Sequence, residues 1–187
     1  MIKSKLLDSK DAAQNWILLG IPVLLIVGSL MHFVYEWSGN LTVVGIFAPI
    51  NESVWEHLKM TFWPMLFWWV IGYYILSKRN NISALQWFVS CAAAEVLCPL
   101  VIVCFYYTYT GALGIESIIL DIFSLFLGIA VAQLLALHVY KYSKLTPRCL
   151  YYAIVVLILL AVAFAVFTFN PPQLPLFKDS STGKYGI

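Results

Sequence analysis

Residues 15–37 read NWILLGIPVLLIVGSLMHFVYEW, a run without a charged side chain until Glu36. About 20 consecutive apolar residues are enough to cross a bilayer as a helix. Lys3, Lys5 and Lys10 precede the run, as in a secretory signal. The run is nevertheless longer than the ~7–15-residue apolar core of such signals and has no small-residue cleavage site, so it reads as a retained helix and signal anchor.

Four further apolar segments follow, at Met60–Leu76, Ala84–Tyr107, Ser117–Tyr140 and Arg148–Phe169. The second is the shortest, and a helix there can begin as far back as Asn51. Pro64 kinks it by freeing the carbonyl of Met60. Of the 187 residues, 62% are hydrophobic and 11% charged, against about 25% charged in a soluble domain. Mean hydropathy is +0.88. Lipid must therefore be the solvent for most of the surface. The net charge of +2 gives no case for a nucleic-acid partner. Cys91, Cys98, Cys104 and Cys149 lack the spacing of a zinc site and the paired loop positions of a disulfide framework, so free thiols are expected.

The sequence thus predicts an all-α, polytopic transmembrane helical bundle of about five spans. Lysine and arginine set its orientation through the positive-inside rule. The N-terminal tail, Lys78 and Arg79, and Lys141, Lys144 and Arg148 fall on one side, while Lys59, Lys178 and Lys184 fall on the other. The N-terminus is then cytoplasmic and the C-terminus extracytoplasmic. Residues 1–14 form a basic cytoplasmic tail and 15–169 the membrane domain, with an outer loop or helix at 38–59. Residues 170–187 form a proline-rich tail outside, which either folds over the outer mouth or runs free.

The charged chemistry concentrates in Gly45–Lys59, GIFAPINESVWEHLK. If this is a helix entered through the turn at Pro49, Glu52 and Glu56 share a face with Lys59 near it. His57 lies about 140° from Glu52 around such a helix. Two carboxylates so close repel unless a cation, a proton or Lys59 sits between them. Ser53 with Glu56 also fits a helix capping box, which would occupy Glu56 without any chemistry. On the first helix, His32 and Glu36 share a face near the outer end, either as ligands or as solvated interface residues.

Asp121 opens the fourth helix on the same side and heads a stripe with Ser124, Gly128 and Ala132, of a kind that lets helices approach closely. Glu95 lies near mid-depth between Cys91, Cys98 and Pro99, as a neutral hydrogen-bonding acid, a proton relay or a ligand. Gln133 and His138 lie off the Asp121 stripe, and His138 reads as an inner-interface residue.

His32, Glu36, Glu52, Glu56 and His57 together offer the ligand types of a site for a divalent ion such as Zn, Mn or Fe, with Asp121 supporting it. Glu56, Asp121 and Glu95 are the candidate catalytic groups, Glu95 as a buried proton carrier. The spacing matches no HExxH, GxSxG or phosphate-loop motif.

The segments MHFVYEWSGN and GIFAPINESVWEHLKMTFWP, and the tail from NPPQLPLF to GKYGI, resemble a family of small bacterial integral membrane proteins known only as a domain of unknown function. The resemblance covers nearly the full length, and NESVWEH is its most specific part. It implies a multi-pass protein of the bacterial cytoplasmic (inner) membrane and supplies no substrate or site. Three functions stand open. The first is a metal-dependent membrane enzyme, a hydrolase acting on a lipid or lipid-linked substrate. The second is a cation- or proton-coupled transporter or channel using Glu95, and the third an assembly protein that uses the Gly128–Ala132 stripe.

Overall fold

A computed structural model gives the fold and describes residues 2–80 and 82–187, with the side chains of residues 2–10 outside the description. The charges of Lys3, Lys5 and Lys10 therefore lie outside the described residues. The described chain is helical: α1 (Ile2–Trp37), α2 (Val54–Asn80), α3 (Ala84–Leu113), α4 (Ile118–Tyr142) and α5 (Pro147–Phe169). Short 3-10 turns sit at Val44–Ile46 and Pro175–Phe177, and a single β-bridge joins Lys178 to Tyr185 in the tail.

Local chemistry sets the boundaries. Gly114 ends α3 in the left-handed region at φ 64° and donates its N–H to the Thr110 carbonyl, a conformation glycine adopts without a Cβ penalty. Pro147 begins α5, where its missing N–H costs nothing. Short links after α2, α3 and α4 make consecutive helices antiparallel. The ends of α1, α3 and α5 therefore lie with the starts of α2 and α4, at what we call the site end.

Among the described residues, four helical stretches are long and apolar enough to cross a membrane, at Asp11–Trp37, Ala84–Leu113, Ile118–Tyr142 and Pro147–Phe169. The second expected span, within α2, does not reach that standard. Trp63, Trp68, Trp69, Tyr73 and Tyr74 lower its hydropathy, and charged residues stand at both its ends. The polarity of the bundle is that of a membrane protein. Ile26, Ile158 and Leu159 are about 60% exposed on its outer surface, whereas Lys59, Glu95 and Gln133 are buried within it.

The seam between α1 and α2 is made by two indoles. Trp16 and Trp68 stack at 4.4 Å, and each donates its Nε1–H to the other's backbone carbonyl, at 3.2 and 3.3 Å. Nearer the site end, Pro64 lies inside α2 and deprives the Met60 carbonyl of its helical donor. Gly28 packs against that carbonyl so closely that a Cβ would fall 2.7 Å from the oxygen. Gly128 serves α4 in the same way, since a Cβ there would meet Ile102 at 2.6 Å and the Cys98 carbonyl at 3.1 Å. The Ser124–Gly128–Ala132 stripe is buried, with Gly128 against α3 of the same chain. This removes the sequence signal for its use in assembly with another copy. All four cysteines are free.

Candidate functional site

At the site end, α2 starts at Val54, so Asn51 and Glu52 precede the helix instead of belonging to it. The Asn51 side chain accepts from the Ser53 N–H at 3.0 Å, and the Ser53 hydroxyl accepts from the Glu56 N–H at 3.3 Å. This is one half of the expected capping box. The other half is replaced, because the Glu56 carboxylate accepts from the Ile50 N–H at 3.1 Å.

The two glutamates of this segment therefore diverge. Glu56 turns inward to Lys59, whose Nζ lies 2.5 Å from Glu56 Oε2. Lys59 is wholly buried and also donates to the Gly45 carbonyl at 2.7 Å and the Thr168 hydroxyl at 2.6 Å. One ammonium thus ties together the first loop, α2 and α5. Three donations fill the hydrogen-bonding capacity of Lys59, and Glu56 lies outside the three-residue group, so this pair acts as a structural knot.

Glu52 turns the other way. Its Oε2 lies 3.4 Å from His57 Nε2 and its Oε1 3.9 Å from His32 Nε2. Ligand atoms of the three residues all lie within 4.8 Å of one another. Because Glu52 is free of the helix, the angular separation expected within a helix no longer applies, and the loop carries its carboxylate to His57. The two imidazoles stack at 5.3 Å. His57 Nδ1 sits 2.9 Å from the Ser53 carbonyl. A carbonyl only accepts, so Nδ1 carries the hydrogen and Nε2 is directed to the cluster, the arrangement common to metal-binding histidines.

His57 holds the Glu52 carboxyl below the usual carboxylate range, chiefly by its hydrogen bond. Partial burial opposes this, the charges on His57 and His32 add to it, and nearby Asp179 opposes it slightly.

Two imidazole nitrogens and a carboxylate oxygen suit a divalent transition metal. Bonds of about 2.0–2.1 Å in a tetrahedral site put neighbouring ligand atoms roughly 3.4 Å apart. His57 Nε2 already has that separation from Glu52 Oε2, His32 Nε2 lies 3.9 Å from the other oxygen, Oε1, and one ligand atom from each of the three residues lies within 4.8 Å of the others. The three residues are of the kinds, and close enough together, to hold a metal ion.

Beside the cluster is a cleft of about 150 Å³ whose lining includes His32, Tyr35, Glu36, Asn51 and Glu52. Glu36 shares it with His32, as their spacing predicted, but lies outside the three-residue group and makes no ion pair among the described residues. Asp121 lies outside the three-residue group and accepts a hydrogen bond from the Tyr109 hydroxyl at 2.6 Å, linking α3 to α4, but its charge is near enough to act on His57. Glu95 lies well inside the bundle, 1% exposed.

The C-terminal tail folds back onto the site end. Phe177 is buried against Trp55 and Phe167. The Ser180 hydroxyl donates to the Glu52 carbonyl at 3.2 Å and the Asn51 side chain to the Gly186 carbonyl at 3.4 Å. Asp179 organises the turn between these contacts by accepting from the Ser181 N–H at 2.9 Å, the Ser181 hydroxyl at 2.8 Å and the Thr182 hydroxyl.

The fold and this arrangement define a helical bundle with four apolar helices long enough to cross a membrane and, at one end, a His–Glu–His group capable of holding a metal. Within that class the chain belongs to DUF6512, a family of unknown function, whose model matches residues 6–187. No curated protein and no solved structure matches it.

Proposed function

We propose that the protein is a multi-pass enzyme of the bacterial inner membrane, with a divalent metal held by His32, Glu52 and His57 on the extracytoplasmic side. On this reading α2 is the fifth span. Its 27 residues extend about 40 Å at 1.5 Å per residue, enough to cross. Lys78, Arg79, Lys141, Lys144 and Arg148 lie at the end opposite the site, which favours a cytoplasmic position for that end. Lys59, the cation that counted against this asymmetry, is neutralised internally by Glu56.

The observation that carries the proposal is the approach of three ligand atoms from α1, α2 and the loop before it, with His57 oriented by the Ser53 carbonyl. A metal bound by three protein ligands supplies Lewis acidity and an activated water. His32 and His57 would hold and orient it, Glu52 would neutralise part of its charge, and Glu36, which lines the same cleft, would accept a proton. An active centre at the surface of an apolar bundle favours the polar linkage of a lipid or lipid-linked substrate, whose chains remain in the bilayer.

Elemental analysis of purified wild type beside Glu52→Ala tests the reading. Near one zinc, manganese or iron per chain, lost in the variant, is the expected result, followed by hydrolysis assays on lipid substrates. A well-folded wild type without transition metal would remove the proposal. A cation- or proton-coupled transporter is the second reading, and the burial of Glu95 without a charge partner favours it.

A further inference from the structure

Two enclosed polar side chains in the bundle carry atoms without a hydrogen-bond partner among the described residues. Glu95 is 1% exposed and Gln133 0%. Glu95 Oε1 and both amide atoms of Gln133 make no hydrogen bond among the described residues. Buried polar atoms in native proteins are nearly always satisfied, and those left over commonly mark a water or an ion. In a membrane interior an acid so placed marks an ion or proton site more often than a packing residue.

The packing puts the two groups at one level. Gly128 of α4 rests on Cys98 and Ile102 of α3, and these helices are antiparallel. Five residues along α4 from Gly128, about 7.5 Å, is Gln133, and the same displacement along α3 from the Cys98–Ile102 turn reaches the level of Glu95. The absence of a side chain at Gly20 of α1 leaves room for the Gln133 amide beside Trp68 Nε1. Pro99 lies inside α3 and has no N–H, which frees the Glu95 backbone carbonyl from its helical bond.

This level of the bundle therefore offers oxygen acceptors from the Glu95 carboxyl, the Glu95 carbonyl and Gln133 Oε1. The amide Nε2 of Gln133 is a donor beside them. The thiols of Cys91 and Cys98 flank Glu95 and are weak donors. No ion pair reaches Glu95 from α1, α2, α4 or α5 among the described residues. The group lacks a positive charge, and an oxygen donor set suits a hard ion.

We propose that Glu95 and Gln133 bind a small monovalent cation, sodium or hydronium, with its water in the interior of the bundle. The site is independent of the His32–Glu52–His57 group, and its test reads binding instead of flux.

Thermal unfolding of the full-length protein in detergent, in sodium chloride against choline chloride at equal ionic strength, addresses sodium. The expected result is a rise in midpoint with sodium that Glu95→Gln abolishes. Gln133→Met lowers the apparent affinity about tenfold, the size of effect expected for losing roughly one ligand. Infrared difference spectra address hydronium. Here a carboxyl band absent from Glu95→Gln shifts in D2O and shifts again in Gln133→Met. Glu52→Ala leaves both readouts unchanged, which separates this site from the proposed metal centre. A sodium effect that survives Glu95→Gln overturns the proposal. It is also overturned if sodium has no effect and the carboxyl band is the same in wild type and Gln133→Met. Should Glu95→Gln fail to fold, the comparison of wild type with Gln133→Met decides.

Discussion

Glu52 stands before the first turn of α2 and His57 within it, yet their side chains meet at 3.4 Å. The loop conformation before Ser53 creates this pairing, and Asn51 fixes that loop by accepting from the Ser53 N–H. Conversion of Glu52 to Gln keeps the shape and removes the charge. Metal affinity should fall by more than the ~10–100-fold lost on removing an outer-shell partner, while Glu36→Gln leaves metal content near wild type. Elemental analysis and competition with a chelating dye measure both.

The Glu56–Lys59 pair predicts a different outcome. Removing one member of a buried ion pair leaves an uncompensated charge and costs about 3–5 kcal/mol. Glu56→Ala and Lys59→Ala should each destabilise the protein strongly, whereas Glu56→Leu with Lys59→Met costs much less than the two single changes together. Unfolding midpoints in detergent decide it. An Ala variant at Glu56 with normal stability and lost metal would return Glu56 to the ligand set.

Gly28 faces a backbone oxygen that cannot move aside without bending α2. Gly28→Ala should cost about 1–3 kcal/mol, the usual range for overpacking, and Gly28→Val more. Alanine at Gly111, where nothing lies within 4 Å of a new Cβ, should be tolerated. The two melting curves side by side provide the check.

Acid should release the tail. Burial works against the Asp179 charge, but hydrogen bonds from Thr182 and Ser181 outweigh it and hold the carboxyl below its ordinary value. Glu52, beneath the tail, is also held low. A carboxyl with a depressed folded pKa stabilises above its unfolded value of about 4 and loses that contribution as pH falls through the folded value. Protection of the amides in residues 171–187, taken relative to their intrinsic exchange rate at each pH, should therefore be high near neutrality and fall below about pH 4. In Asp179→Asn it should be lower at neutral pH and change less with acid.

The helices were legible because apolar runs and their punctuation are local properties. α5 begins one residue before Arg148 and ends at the expected Phe169. His32 and Glu36 were legible for the same reason, since helical spacing alone puts them on one face. The sequence marks Glu52 as an unusual charge but not its geometry, because a helix extended back to Asn51 turns its side chain away from His57, whereas α2 starts at Val54. The division of labour between the glutamates depends on the Gly45 carbonyl and Thr168, which sequence does not bring together. Gln133 was passed over although a mid-span amide is itself a signal. Only packing shows that its amide has no partner.

The last residues of the chain rest on the site. The Gly186 carbonyl holds Asn51, and Ile187 Cδ1 would lie 3.7 Å from a Cβ at Gly45. Anything fused after Ile187 is consequently delivered to the rim of the Glu52 cleft. A polyhistidine tag there would bring a string of competing imidazoles to the cluster and could imitate the very metal it was used to purify. A tag at the other terminus avoids that artefact.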